Sequence, residues 1–159
     1  MKNLFVSTTF AKDKSKISDI LSFCEKRGLS NLELGSNHCF EKNYLKILKK
    51  KKLSYLIHNY FPIPKKSFVV NIASQNKSIR NKSLRHAFKA IRLCKQVEAK
   101  LYTIHPGFLE DPNSSNLNKD DYDYIWKKKK NNSNYSKAFM LMIRSLKQIA
   151  KYAKKIKLK

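Results

Sequence analysis

The chain has 159 residues, 42% of them hydrophobic and 11% aromatic, enough for one domain with a real core and too apolar for a disordered tail. Thirty-five Lys and Arg against eleven Asp and Glu give a net charge of +24, a balance that attracts nucleic acid, anionic surfaces or phosphorylated ligands. Lysine far outnumbers arginine, so a generic lysine-rich surface competes with a selected basic face, and the shortage of guanidinium forks weakens the nucleic-acid reading.

In chain order, a β-prone run over 4–8 is the first strand. A helix follows from Ser15, with Ile17, Ile20, Leu21 and Cys24 at three- and four-residue steps and Gly28 where a C-cap glycine belongs. NLEL at 31–34 is the second strand, ended by Gly35. A short helix over 42–50 turns Tyr44, Leu45, Ile47 and Leu48 inward, and the third strand spans 53–58. The proline-broken stretch FPIPKKSFVVNIAS cannot be helix; its FVVN reads as a small strand or an extended flap.

A long helix over 78–98 carries Leu84, Ala87, Phe88, Ile91, Cys94 and Val97 on one face. The fourth strand, 101–105, ends in His105 just as the third ends in His58, and Pro106 and Gly107 stop pairing immediately after it. Residues 106–134 form a long lid-like loop with aromatics at Tyr122, Tyr124 and Trp126 and a lysine run at 127–130, read either as a solvated loop or as a phosphate clamp. The last helix, 135–154, sets Phe139, Met142, Ile143, Leu146, Ile149, Ala150 and Ala153 on one side. The closing KIKLK resembles the approach to another strand.

Cys24, Cys39 and Cys94 are odd in number and form no CxxC, which argues against a disulfide framework or a zinc knuckle. They read as reduced core thiols, and no window approaches the ~20 apolar residues of a membrane span. A soluble, cytoplasmic protein with no membrane partner is the expectation. His38 and His86 are expected to face solvent, the first in a loop and the second on a polar side of its helix.

Strand–helix alternation implies an α/β fold with a parallel sheet: about four βα units in a single domain over 1–159. No GxGxxG, GxxxxGK[ST] or GxSxG occurs, so dinucleotide, P-loop and α/β-hydrolase chemistry lose their main signs. Chemistry in the remaining folds collects at the carboxyl ends of the strands, where Glu33, His58 and His105 fall.

The set NLELG, LIHNYFP, VVNIAS and IHPGF, at these spacings, resembles the N-terminal half of the xylose-isomerase-like TIM barrels, which include sugar phosphate isomerases and epimerases and related apurinic endonucleases. Asn59 and Tyr60 stand where the endonuclease branch has a small residue and a proline, so the likeness leans toward the isomerases. The resemblance implies that His58 and His105 bind a divalent metal such as zinc, manganese or cobalt, and that Glu33, Asn59, Asn71 and Ser74 lie toward a sugar or sugar phosphate. It leaves the catalytic acid and base unassigned, since the family's bridging glutamate and further ligands lie on strands five to eight. A complete barrel takes about 250 residues, so the expectation is an incomplete barrel, whether a truncated chain, one product of a split gene, or a half completed by a partner chain across its open edges. The alternative is an endonuclease-like or charge-driven nucleic-acid-binding protein.

Overall fold

A computed structural model describes residues 4–112 and 134–158. Four parallel strands, β1 (Val6–Ser7), β2 (Asn31–Leu34), β3 (Ser54–His58) and β4 (Tyr102–Thr103), form one open sheet in the order β1-β2-β3-β4. Helices α1 (Ile17–Lys26), α2 (Tyr44–Lys50), α3 (Lys77–Gln96) and α4 (Tyr135–Lys155) follow the strands in turn. The result is the expected set of four βα units, an unclosed portion of a barrel-like α/β fold. Among the described residues no helix is long and apolar enough to cross a membrane.

Sequential strands that are neighbours in space need crossovers of one hand, which bring the helices to the same face of the sheet. The alternation in β2 and β3 records that choice. Leu32, Leu34, Tyr55 and Ile57 are buried against the helices, whereas Glu33, Leu56 and His58, on the other face, stay half-exposed. Ile17, Ile20, Leu21 and Cys24 of α1 and Ala90, Leu93 and Cys94 of α3 complete this main core. A second cluster joins α3 to α4 through Leu84, Ala87, Ile91 and Ile149. Helix α1 ends as expected: Gly28 has φ +70°, its N–H donates to Glu25 O, and the N–H of Leu29 donates to Cys24 O.

Several expectations need correcting. The first strand is only two residues, because Thr8–Phe10 tightens into a 3-10 turn. FVVN makes no strand. Strand β4 ends at Thr103, so His105 lies two residues beyond it and is exposed. Phe139 is 44% exposed, and it stacks on Tyr135 instead of entering the core. His38 and His86 are not solvent-facing: they are 0% and 6% exposed. His86 escapes solvent because α3 buries a third side, where its ring lies between Tyr60 and Phe68. The cysteines are free; Cys24 and Cys94 are buried and Cys39 half-buried, and burial pushes the Cys94 thiol up to about 12, an inert core group. Most of the lid-like loop expected over 106–134, with its aromatics and lysine run, lies outside the described residues.

Candidate active site at the strand ends

Parallel register decides which side chains meet. Glu33 pairs with Leu56, two residues before His58, so Glu33 and His58 stand on the same sheet face. His58 in turn pairs with Thr103. The His58 Nδ1 is consequently 3.0 Å from Glu33 Oε1 and 2.8 Å from Thr103 Oγ1. A carboxylate against Nδ1 favours the tautomer with its proton there, which leaves the Nε2 lone pair for a metal or a proton. The His105 ring meets the His58 ring edge-on, with centroids 5.0 Å apart. Burial lowers the His58 pKa below the ordinary imidazole value; the Glu33 carboxylate works against that shift and His105 adds to it. The fold therefore brings Glu33, His58 and His105 together as a carboxylate and two imidazoles.

Asn59 follows His58 with φ +30° and couples the ends of β3 and β4. Its N–H donates to Thr103 O at 2.7 Å, its Oδ1 accepts from the His105 N–H at 3.2 Å, and its carbonyl accepts from the Tyr102 hydroxyl. That frame sets where His105 sits, a role no motif reveals because the partners are more than forty residues apart in sequence.

Asn71 and Ser74 are buried and their polar atoms are engaged within the protein. The Asn71 Nδ2 donates to Phe108 O at 3.0 Å and to Asp111 Oδ1 at 2.9 Å, while its Oδ1 accepts from the N–H groups of Ala73 and Phe108. Ser74 donates to Asp111 Oδ2 and accepts from Asn76 N–H. These two residues fasten the loop after β4 to the segment before α3. Gly107 belongs to the same clamp: its φ is +115°, and a Cβ there would lie 2.1 Å from Asn71 Oδ1.

A cavity of about 310 Å³ opens beside His105. All four strand-end loops line it, with Asp13 after β1, Asn37 after β2, Asn59 and Phe68 after β3, and His105 and Phe108 after β4. This is the carboxyl-end crevice where α/β sheets bind ligands. Sequence reading found Asn59 and His105 but missed Asp13, Asn37 and Phe108, which lie in the loops that follow β1, β2 and β4. Among the described residues no group of three or more His, Cys, Asp or Glu side chains is placed to hold a metal ion.

The comparisons with known proteins agree with this architecture. The family model of the xylose isomerase-like TIM barrel matches residues 12–159. The chain belongs to that family. A solved D-tagatose 3-epimerase-like protein superposes with a TM-score of 0.61 at 14% identity, over 94% of this chain and 48% of that one. At that identity the likeness carries the fold, and this chain spans about half the length of that relative. No curated protein matches.

Proposed function

We propose that the strand ends form the metal- and sugar-binding portion of an isomerase or epimerase acting on a sugar or sugar phosphate. The observation that carries this reading is the pinning of His58 Nδ1 between Glu33 and Thr103, which leaves Nε2 free beside the His105 ring. Two imidazoles suit a divalent ion such as zinc, manganese or cobalt, with Glu33 orienting His58 rather than ligating. Such an ion supplies Lewis-acid polarisation of a carbonyl and its adjacent hydroxyl. This chain's residues would hold it, orient the sugar in the cavity and exclude water. Removal and return of a proton need an acid/base pair, for which the described residues offer no assignment. A partner chain completing the barrel remains part of this proposal.

The test is calorimetric titration of zinc and manganese into the wild type and into His58→Ala/His105→Ala. Stoichiometric binding that the double variant loses is the expected result; full retention of affinity by the variant would sink the metal reading.

A second reading, charge-driven binding of nucleic acid, is favoured by α4. Arg144, Lys147, Lys151 and Lys154 recur on it at three- and four-residue steps, all exposed, and the helix contains no carboxylate.

A further inference from the structure

The exposed apolar side chains of this molecule are not scattered. Among the described residues ten large hydrophobic side chains stand exposed, and nine of them belong to the first or the last βα unit, with Phe40 alone between. The first unit shows Leu4, Phe10 and Phe23; the last shows Leu101 and Leu109 beside β4 and Tyr135 and Phe139 on α4. Each end carries an aromatic pair, the Phe10 and Phe23 rings 5.9 Å apart and the Tyr135 and Phe139 rings 6.1 Å apart. With exposures of 43–62% on side chains of about 200 Å², the nine present on the order of 900 Å² per chain, close to the ~800 Å² per partner of a standard stable interface.

The topology explains this placement. The two middle strands have neighbours on both sides, whereas β1 and β4 each have one neighbour among the described residues. Leu101 O and Thr103 O accept from β3 and the residue after it, so strand alternation turns the N–H and C=O of Tyr102 toward the open edge. On the sheet face away from the helices the apolar Leu56 is half-exposed. What covers the ends must therefore bring a parallel strand to each edge and apolar side chains beside it.

We propose that a second copy of this chain covers both ends, closing a ring of eight strands with twofold symmetry. The proposal rests on the barrel-completing partner of the functional reading and names it. Every strand is parallel and the order is sequential. A twofold axis along the strands thus sets β4 of one copy beside β1 of the other at two identical junctions, with all helices outside. Each junction receives one aromatic pair from each copy. Eight strands is the number at which side chains fill the interior of a barrel, and this closure covers Leu56. Length agrees, since this chain covers 48% of the epimerase-like structure and two copies match one such relative. The closed ring also places a second Glu33, His58 and His105 around the same mouth. Like charges of +24 oppose the pairing; salt screens them, so the dimer should tighten as salt rises, opposite to the binding of a polyanion.

The 159-residue chain is followed by light scattering from about 1 to about 200 μM, in about 0.15 M and about 0.5 M salt. Twice the chain mass of 18.6 kDa is expected, with the dimer severalfold tighter at the higher salt. Phe10→Asp/Phe23→Asp damages the first end and Tyr135→Asp/Phe139→Asp the last, and each variant alone should be a monomer with the circular dichroism of the folded chain. Mixed in equal amounts they should recover a dimer weaker than wild type, because one junction then pairs two intact ends. The single changes Phe10→Asp and Phe139→Asp serve where a double change unfolds the chain. A wild-type monomer at every concentration in both salts, open oligomers larger than a dimer, or folded variants whose mixture stays monomeric would overturn the proposal. The metal titration fails independently: a dimer that binds no metal leaves the pairing standing and removes the isomerase reading, whereas a monomer that binds metal does the reverse.

Discussion

Two polar regions of this molecule contrast sharply. In the clamp between the loop after β4 and the segment before α3, polar side chains are tied in both directions: Asn71 is 0% exposed and makes four side-chain hydrogen bonds, and Ser74 and Asp111 close the same clamp. On the outer helices the charges are numerous and stand in solvent, as with Arg144, Lys147, Lys151 and Lys154 of α4. Polarity alone therefore says little about consequence. A buried hydrogen-bonding group that loses its partner cannot turn to water, whereas a solvated charge already has water around it.

The largest effect should come from Asn71→Ala. It removes the bonds that Asn71 makes to the N–H and carbonyl of Phe108 and to the N–H of Ala73, and takes one donor from Asp111. An unsatisfied buried group costs about 1–3 kcal/mol, so a loss of about 3 kcal/mol in denaturant unfolding is expected, with the Phe108 loop released. A loss below about 1 kcal/mol would mean that the clamp does not hold the loop.

Acid should act next, through His38 and His86. Burial lowers each imidazole to about 4. A folded pKa below the unfolded one gives stability that is complete above the unfolded value of about 6.5 and is lost as pH falls toward the folded value. His86 alone should cost roughly 3 kcal/mol across that window, on the conversion of 1.36 kcal/mol per pKa unit. The check is the urea midpoint of wild type and His86→Gln from pH 7 to pH 4. The variant, whatever its stability at pH 7, should show the shallower decline, and parallel curves would remove His86 as a source of acid sensitivity.

The outer face should respond differently. Replacing Arg144, Lys147, Lys151 and Lys154 by Gln should leave stability within about 0.5 kcal/mol. If α4 binds duplex DNA, each lost phosphate contact should flatten the slope of log K against log salt by about 0.9. Wild-type protein that ignores DNA even at low salt would dismiss the second reading and leave the lysines as a solvating coat.

What sequence reading could see follows the same division. Periodicity exposed the helices and strands because core-facing residues repeat at the spacing of their element: Leu32 and Leu34 alternate, and Leu84, Ala87, Ile91 and Cys94 recur by three and four. His58 was legible as the last residue of an apolar run. The clamp was not, since Asn71 finds Asp111 forty residues away through a loop conformation that no local pattern specifies. His86 was misread because a helix buried on three sides places a residue from its apparently polar side in the core, and only the tertiary position of Tyr60 and Phe68 reveals this.

The smallest effect tests the contrast from the charged side. Lys51 Nζ lies 2.7 Å from Glu25 Oε2, a good ion-pair distance, with side-chain exposures of 23% and 48%. If proximity set the energy, this pair would rival the Asn71 clamp. If burial sets it, water screens both partners, holding the long lysine costs rotamer freedom, and Lys51→Ala should cost less than about 1 kcal/mol. That remainder should shrink further in 1 M salt, where the Debye length falls to about 3 Å. Urea unfolding of Lys51→Ala at low and high salt measures both quantities. A loss near 3 kcal/mol that persists in salt would break the comparison, because an exposed pair would then matter as much as a buried network.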